Sequence, residues 1–451
     1  MSAPLSVPAS VQSVLEALWS AGHAAYVVGG GVRDSLLGRD VADWDVATAA
    51  PPEEVKALFP TGRYENHFGT VTVPGSRPDE DVQVTTFRRD HQYGDHRRPD
   101  SVTFTDSIAE DLARRDFTVN AIAWGREPGA ETASLVDPTG GKSDLDARLL
   151  RAVGEPAARF EEDGLRLMRA ARFAAQLGFD IEPMTRAGMA LKAEIVKWVS
   201  AERVGAELRK MVAADPPSTG FRILEQTGVL EHALPELAAQ RGVPQDKIAG
   251  HDLWGHCLAT LDAAALIDPA NETLRLAALL HDIGKPGTFA DGHFVGHEDE
   301  GARLAELLLV RLAFPRRDID RVVELIRHHM FNYESRWSGA AIRRFIRRVG
   351  RDLVDDLLNL RAADNVGSGL APGAGDLDEL RHRVADELAA NPPLDLAALA
   401  VRGDDLMAEL HLRPGPQVGE LLERLLSLVI ADPAQNRREI LLEHASRWTR
   451  S

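Results

Sequence analysis

The chain has 451 residues, of which 44% are hydrophobic and 27% charged; that balance excludes a wholly disordered or fibrous protein and, at about 150 residues per domain, predicts roughly three domains. Its 52 Lys and Arg against 69 Asp and Glu give a formal charge of -17, which excludes a global positive field, so any contact with nucleic acid has to be local. The lone cysteine, Cys257, excludes an internal disulfide framework and a multi-thiolate metal site.

The opening MSAPLSVPAS has neither the cationic start nor the apolar run of a secretory signal, and no later stretch reaches the ~18 apolar residues that cross a bilayer. A cytoplasmic protein without membrane contact is expected. Residues 11 to 21 (VQSVLEALWSA) place apolar side chains at helical spacing. AAYVV followed by GGGVRD then predicts a buried strand, a glycine turn and a helix start. WDVAT, GTVTV and VQVTTF are short β-rich runs divided by Gly, Pro and Asp, so the first ~125 residues predict a mixed sheet with helices. From Leu149 onward long Ala/Leu/Arg/Glu stretches of helical period predict an almost all-helical remainder, with GSGLAPGAGD (367 to 376) as the clearest compositional boundary.

Two carboxylates, Asp43 and Asp45, flank Trp44 in DVADWDVAT. On a strand, the period of two puts both on one face, where paired hard oxygens suit divalent metal. The Gly29-Gly30-Gly31 turn ahead of them offers backbone N–H groups to an anion, with Arg33 nearby. Taken alone, a DxD is most often a surface pair and a glycine run only a turn.

Read as one run, GGGVRDSLLGRDVADWDVAT resembles the signature of the nucleotidyltransferase superfamily branch that contains bacterial tRNA CCA-adding enzymes and poly(A) polymerases. TTFRRDHQYGDHRRPDSVTF, EDLARRDFTVNAIA, EEDGLRLMRAARFAAQLGF and SAERVGAELRKM follow in the family's order. The resemblance implies an α+β protein: a small mixed-sheet nucleotidyltransferase head (1–148), a helical nucleotide-selecting neck (149–235), a helical HD domain (236–366) and a C-terminal helical region (367–451). It implies that Asp43 and Asp45 bind Mg²⁺ and set a terminal ribose hydroxyl of tRNA for attack on the α-phosphate of CTP or ATP. Gly29, Gly30, Arg33, Arg114, Arg115, Asp116, Asn120, Asp163, Arg166, Arg169 and Arg172 fall at its nucleotide-handling positions. Asp163 and Arg166 lie three apart, so on one helix they would face the same way and read the hydrogen-bonding edge of cytosine or adenine. A simple helical ion pair is the plain alternative. Where relatives read Glu-Val-Thr-Thr-Phe-Arg, this chain has Gln83-Val84-Thr85-Thr86-Phe87-Arg88, which removes a third carboxylate; Asp81, two residues earlier, is ~6 to 7 Å away along a strand. Arg88 to Arg98 resembles the flexible loop of full CCA-adding and A-adding members.

His256, the pair His281-Asp282 in ALLHDIGKP and Asp364 form the pattern of the HD phosphohydrolase superfamily, a donor set suited to Mg²⁺, Mn²⁺, Ni²⁺ or Co²⁺. His297, His328 and His329 lie where multinuclear members place further ligands, and Lys285 is placed to assist with phosphate. By that resemblance the domain removes phosphate from RNA ends or nucleotides. RWSGAAIRRFIRRVGR (336 to 351) holds six arginines and no acid, so Arg343, Arg344, Arg347 and Arg348 are the expected RNA contacts, unless acids on another helix pair with them. The competing readings are a poly(A) polymerase and an RNA-repair phosphohydrolase with a degenerate head. No sequence feature fixes an oligomeric state.

Overall fold

A computed structural model describes residues 5–41, 43–64, 69–75, 77, 81–91, 101–245, 248, 250–290 and 293–450. Its contacts divide the chain into two compact units, Met1–Pro235 and Glu236–Ser451. The boundaries expected at 148/149 and 366/367 fall inside these units.

The first unit opens with the helix Ala9–Ser20, which buries Val11, Val14, Leu15 and Leu18, the i, i+3, i+4, i+7 stripe of its sequence. The strands are β1 (Ala25–Val28), β2 (Asp45–Thr48), β3 (Arg63–Tyr64), β4 (Thr70–Val73), β5 (Val82–Thr86), β6 (Arg88–His91), β7 (Ser101–Phe104), β8 (Ala123–Arg126), β9 (Ser134–Val136), and the short parallel pair β10 (Leu149–Leu150) and β11 (Asp180–Ile181). Seven of them form one sheet in the order β3-β4-β5-β2-β1-β8-β9, antiparallel except for the parallel β2–β5 pair. Tyr26, Val28, Ala47, Phe87 and Ala123 pack with Ile108 and Leu112 of the helix Ile108–Ala113; Tyr26 and Val28 share one face of β1 by the strand period of two, and Ala25 and Val27 are buried on the other. Strands β6 and β7 form a separate antiparallel ribbon; the tip of the arginine-rich loop, 92–100, lies outside the described residues.

The β1–β2 register sets Val28 opposite Asp45, so the glycine turn that leaves β1 is brought beside the aspartates that enter β2. Gly29 has φ 72°, a left-handed conformation that favours glycine at this turn, and a Cβ there would also press on the Arg115 guanidinium 2.9 Å away. Beyond the sheet come short helices, chief among them Leu165–Leu177 and Ala201–Val212.

The second unit is helical apart from the short antiparallel pair Phe289–Ala290 and His293–Phe294. Side-chain caps start several of its helices: Asp252 accepts from Gly255 N, Asn271 from Leu274 N and Ser338 from Ala341 N. The segment 367–376, a linker by composition, is tied to the helix Val354–Gly367, because the Asn365 amide donates to Pro372 O and Ala374 O at 3.0 and 3.1 Å. Glycine and proline there serve a tight turn. Among the described residues no helix is long and apolar enough to cross a membrane.

Candidate active site and metal centre

The first unit holds a polar cavity of about 640 Å³ lined by Gly29, Gly30, Arg33, Asp43, Asp45, Arg114, Arg115, Asp116, Asn120, Asp163, Arg166 and Arg169. Of the nucleotide-handling residues expected from sequence, only Arg172 is not on this lining. Asp45 opens β2, while Asp43 and Trp44 precede the strand, so the two carboxylates meet at a strand entrance instead of sharing a strand face. Burial raises the Asp45 carboxyl above the ordinary range, the Arg115 guanidinium opposes that, and the Asp43 carboxylate adds a smaller push upward. Gln83 sits beside Asp45 in the parallel β2–β5 register. Asp81 does not replace the missing acid: its Oδ1 accepts from Gly75 N at 3.0 Å, holding the turn back to β4.

Each arginine of the cavity is aimed by a partner. Arg33, although buried, donates to Asp34 at 2.8 and 2.7 Å and to Asn120 Oδ1 at 2.7 Å. Asn120 in turn donates to Asp116, which also accepts from Arg169 Nε at 2.7 Å. Burial alone would raise the Asp116 carboxyl; Arg169 and the Asn120 amide override it and hold it far below the usual carboxylate range. Arg114 and Arg115 share Asp111, whose carboxylate is buried. Arg159 and Arg166 donate to the carbonyls of Ala113 and Arg114, placing cations on the exposed carbonyls at the end of the helix Ile108–Ala113.

Asp163 and Arg166 do not share one helix as expected, and their side chains do not pair with each other either. Asp163 ends the helix Pro156–Glu162 and Arg166 lies in the first turn of the next, with Gly164 between them. Arg166 pairs with Glu162, and Asp163 receives a two-pronged pair from Arg203 at 3.2 and 2.7 Å. Both still line the one cavity. Arg172 turns away, its Nε on Glu207 and its Nη1 on Gln176. Sequence reading missed Asp111, Arg203 and Lys210; the last two line the cavity. The i, i+3 and i, i+4 spacing of Asp111 to Arg114 and Arg115 was a readable signal; Arg203 and Lys210 lie within the SAERVGAELRKM run, but the pairing of Arg203 with Asp163, 40 residues away, carried no local signal.

In the second unit five segments converge on Asp282. His256 comes from the helix Leu253–Ile267, His281 and Asp282 from the turn after Glu272–Leu280, His297 from the start of His297–Arg311, His329 from the end of Arg316–His328 and Asp364 from Val354–Gly367. The turn fits only because residue 284 is glycine: a Cβ there would lie 2.3 Å from His297 O. All four imidazoles are oriented alike. Nδ1 of His256, His281, His297 and His329 lies 3.0, 2.8, 2.7 and 2.7 Å from the carbonyls of Gly367, Ala278, Phe294 and Ile326. A carbonyl only accepts, so Nδ1 carries the proton and each Nε2 lone pair points inward.

Two sets of ligand atoms within 4.8 Å of one another result, His256–His281–Asp282 and Asp282–His297–His329, sharing the Asp282 carboxylate. Asp364 Oδ1 completes the first at 3.2 Å from His256 Nε2. The residues fit a cation by three signs. The Nε2 atoms of His256 and His281 face each other at 3.2 Å, the Nε2 atoms of His297 and His329 stand 3.4 and 3.6 Å from Asp282 Oδ1, and the buried Asp282 carboxylate has Lys285 Nζ 2.7 Å from its other oxygen. Burial holds His281 down against the pull of Asp282, which favours the neutral imidazole that ligates metal. His328 is the exception among the expected ligands. It pairs with Glu324 of its own helix at 3.3 Å, because successive helical residues point about 100° apart and only one of two adjacent histidines can face inward.

The arginine stripe also divides. Arg343 is buried, with Nε on Ile430 O, Nη1 on Glu387 and Nη2 on Ala431 O, where it closes the end of the helix Pro416–Ala431. Arg347 pairs with Glu423 of the same helix. Acids from the C-terminal helices thus occupy two of the four expected RNA contacts, and Arg344 and Arg348 remain exposed. Arg343→Ala should destabilise the second unit by about 3 kcal/mol, by leaving Glu387 unpaired. Arg344→Ala with Arg348→Ala should leave the melting temperature unchanged and weaken tRNA binding with a shallower salt dependence, measured by filter binding across salt concentrations.

The chain matches three family descriptions: "Poly A polymerase head domain" over 25–151, "Probable RNA and SrmB- binding site of polymerase A" over 178–241 and "HD domain" over 253–390. It is 32% identical over 437 residues to a CCA-adding enzyme of Bacillus velezensis, covering 96% of this chain and 97% of that one. It is 35% identical over 422 residues to an A-adding tRNA nucleotidyltransferase of Deinococcus radiodurans, covering 89% and 90%. Among solved structures, the Bacillus stearothermophilus CCA-adding enzyme in complex with CTP superposes with a TM-score of 0.75 at 28% identity, covering 98% of each chain.

Proposed function

From the premise that this chain belongs to the family of CCA-adding and A-adding tRNA nucleotidyltransferases, we propose that it adds C, A or both to the 3′ end of tRNA from CTP and ATP in the cytoplasm. The observation that carries the reading is the cavity in which two adjacent aspartates face a wall of partnered arginines. In the reaction the terminal ribose hydroxyl loses its proton and forms a bond to the α-phosphorus, and the bond to pyrophosphate breaks. Asp43 and Asp45 would hold Mg²⁺, which when bound lowers the cost of charge on the attacking and leaving oxygens. Arg33, Arg115 and Arg169 face the triphosphate. Asp163 accepts from the exocyclic amine of cytosine or adenine and Arg166 donates to the neighbouring ring nitrogen, a pattern that uracil and guanine do not match. The test is pyrophosphate release on tRNA lacking its CCA end. Release with CTP or ATP and none with GTP or UTP supports the reading, and no release with any nucleotide overturns it in favour of a degenerate head.

Gln83 bears on metal use. With an amide beside Asp45, the pair holds Mg²⁺ with one charge fewer than a three-carboxylate site. Gln83→Glu should lower the Mg²⁺ concentration for half-maximal activity several-fold, and a titration that does not move would refute this role.

A second activity is favoured by the convergence on Asp282. We assign His256, His281, Asp282 and Asp364 to one divalent cation and His297 and His329, with the shared Asp282, to another. These residues would hold the cations, and a cation bound there would supply a water activated for attack on a phosphate ester. Lys285 would pass from Asp282 to the substrate phosphate, and the substrate class is phosphorylated RNA ends or nucleotides.

A further inference from the structure

One aromatic ring in the first unit lies against three guanidinium groups. The central carbons of Arg33, Arg169 and Arg172 are 5.1, 5.0 and 3.8 Å from the centroid of Phe173. The ring is 6% exposed, and Phe117 meets it edge-on at 5.9 Å and 80°, which fixes its plane. Three like charges gathered around one ring repel one another. Each is offset by its own acid, Asp34 for Arg33, Asp116 for Arg169 and Glu207 for Arg172.

The ring offers the arginines something a fourth carboxylate would not. Its π face attracts a cation without accepting a hydrogen bond in the donors' plane, so it fixes position and leaves donors unspent. Arg33 spends three of its five N–H groups on Asp34 and Asn120, and Arg169 spends two on Asp116, so two and three remain uncommitted among the described residues. Both arginines and Phe173 line the cavity that holds Asp43 and Asp45. Arg33 comes from the helix Gly30–Leu36 beside the sheet. Arg169 and Phe173 share one face of the helix Leu165–Leu177, four residues apart. A single ring therefore sets the spacing of two cations that the chain brings from distant segments.

We propose that Phe173 is a positioning residue for the triphosphate: its ring holds Arg33 and Arg169 at the spacing that receives the phosphate chain of the incoming nucleotide. This rests on the reading of the cavity as a nucleoside triphosphate site. Phe173→Leu keeps an apolar side chain and removes the π face, and Phe173→Tyr restores the face. The experiment measures binding of CTP, inorganic tripolyphosphate and cytidine to the full chain by calorimetry, together with steady-state kinetics on tRNA lacking CCA.

The expected result is that Phe173→Leu weakens CTP and tripolyphosphate about 10-fold alike and leaves cytidine unchanged. It should raise KM for CTP by the same factor with kcat within about twofold, and Phe173→Tyr should recover wild-type values. A purely structural residue would lower kcat or the melting temperature without separating phosphate from base. Should Phe173→Leu not fold, Phe173→Met, an unbranched filler of similar reach, takes its place with the same expected values. Tripolyphosphate binding equal to wild type in whichever variant folds overturns the inference alone. Wild-type protein that binds neither CTP nor tripolyphosphate overturns the nucleotide-site reading and this inference with it.

Discussion

Asp45→Asn, and separately Asp43→Asn, should lower CMP and AMP incorporation by about 10³-fold, roughly 4 kcal/mol of transition-state stabilisation. Asparagine keeps the size and one acceptor of the side chain and removes the charge that would hold a hard cation. Both aspartates are open to the cavity and neither anchors the sheet, so the variants should melt with the wild type. The arginines keep their own partners, Asp111, Asp116 and Asn120, so CTP binding without added metal should change little. Loss of kcat with retained CTP affinity is therefore the expected signature. Activity within tenfold of wild type in both variants would place the chemistry elsewhere.

The second large effect is expected in the helical unit. Adding Mn²⁺, Ni²⁺ or Co²⁺ should raise its melting temperature, because a ligand that binds only the folded state stabilises it by about 2.7 kcal/mol at 100 times its Kd. Asp282→Asn should abolish both that shift and hydrolysis of phosphorylated RNA ends, while leaving nucleotide addition intact. The size of the effect follows from the geometry: both ligand sets share this one carboxylate, so its loss affects both at once. His328→Ala should change neither property, since that ring faces Glu324, whereas His329→Ala should weaken metal binding. A melting temperature indifferent to every one of these metals, in protein stripped with chelator, would remove the metal assignment.

The elements of the head were legible because their signals are local. A short apolar run marks β1, β-rich runs bounded by Gly, Pro and Asp mark β2, β4 and β5, glycines mark the turn at 29, and the register of β1 with β2 then brings the aspartates beside that turn. The histidine and aspartate ligands were legible as residue types along the chain. Which of two adjacent histidines turns inward was not, because that depends on the rotation of the helix Arg316–His328 against its neighbours. The same holds for the arginines. Arg343 and Arg344 are alike in sequence, yet one meets Glu387, 44 residues away, and the other faces solvent. Phe173 stands in the run EEDGLRLMRAARFAAQLGF with nothing to single it out; that three guanidinium groups share its ring is a property of packing between segments. Local pattern fixed the chemistry available at each place, and long-range pairing decided which groups were spent on the fold.

The most direct measurement is sequencing of tRNA 3′ ends after incubation of the purified chain with Mg²⁺, CTP and ATP, separately and together, on tRNA lacking CCA, on tRNA ending in CC and on complete tRNA. The account predicts one to three added nucleotides, drawn only from C and A, ending at CCA with complete tRNA left unextended. Long adenylate tails or untemplated mixtures would contradict it, as would ends unchanged on every substrate.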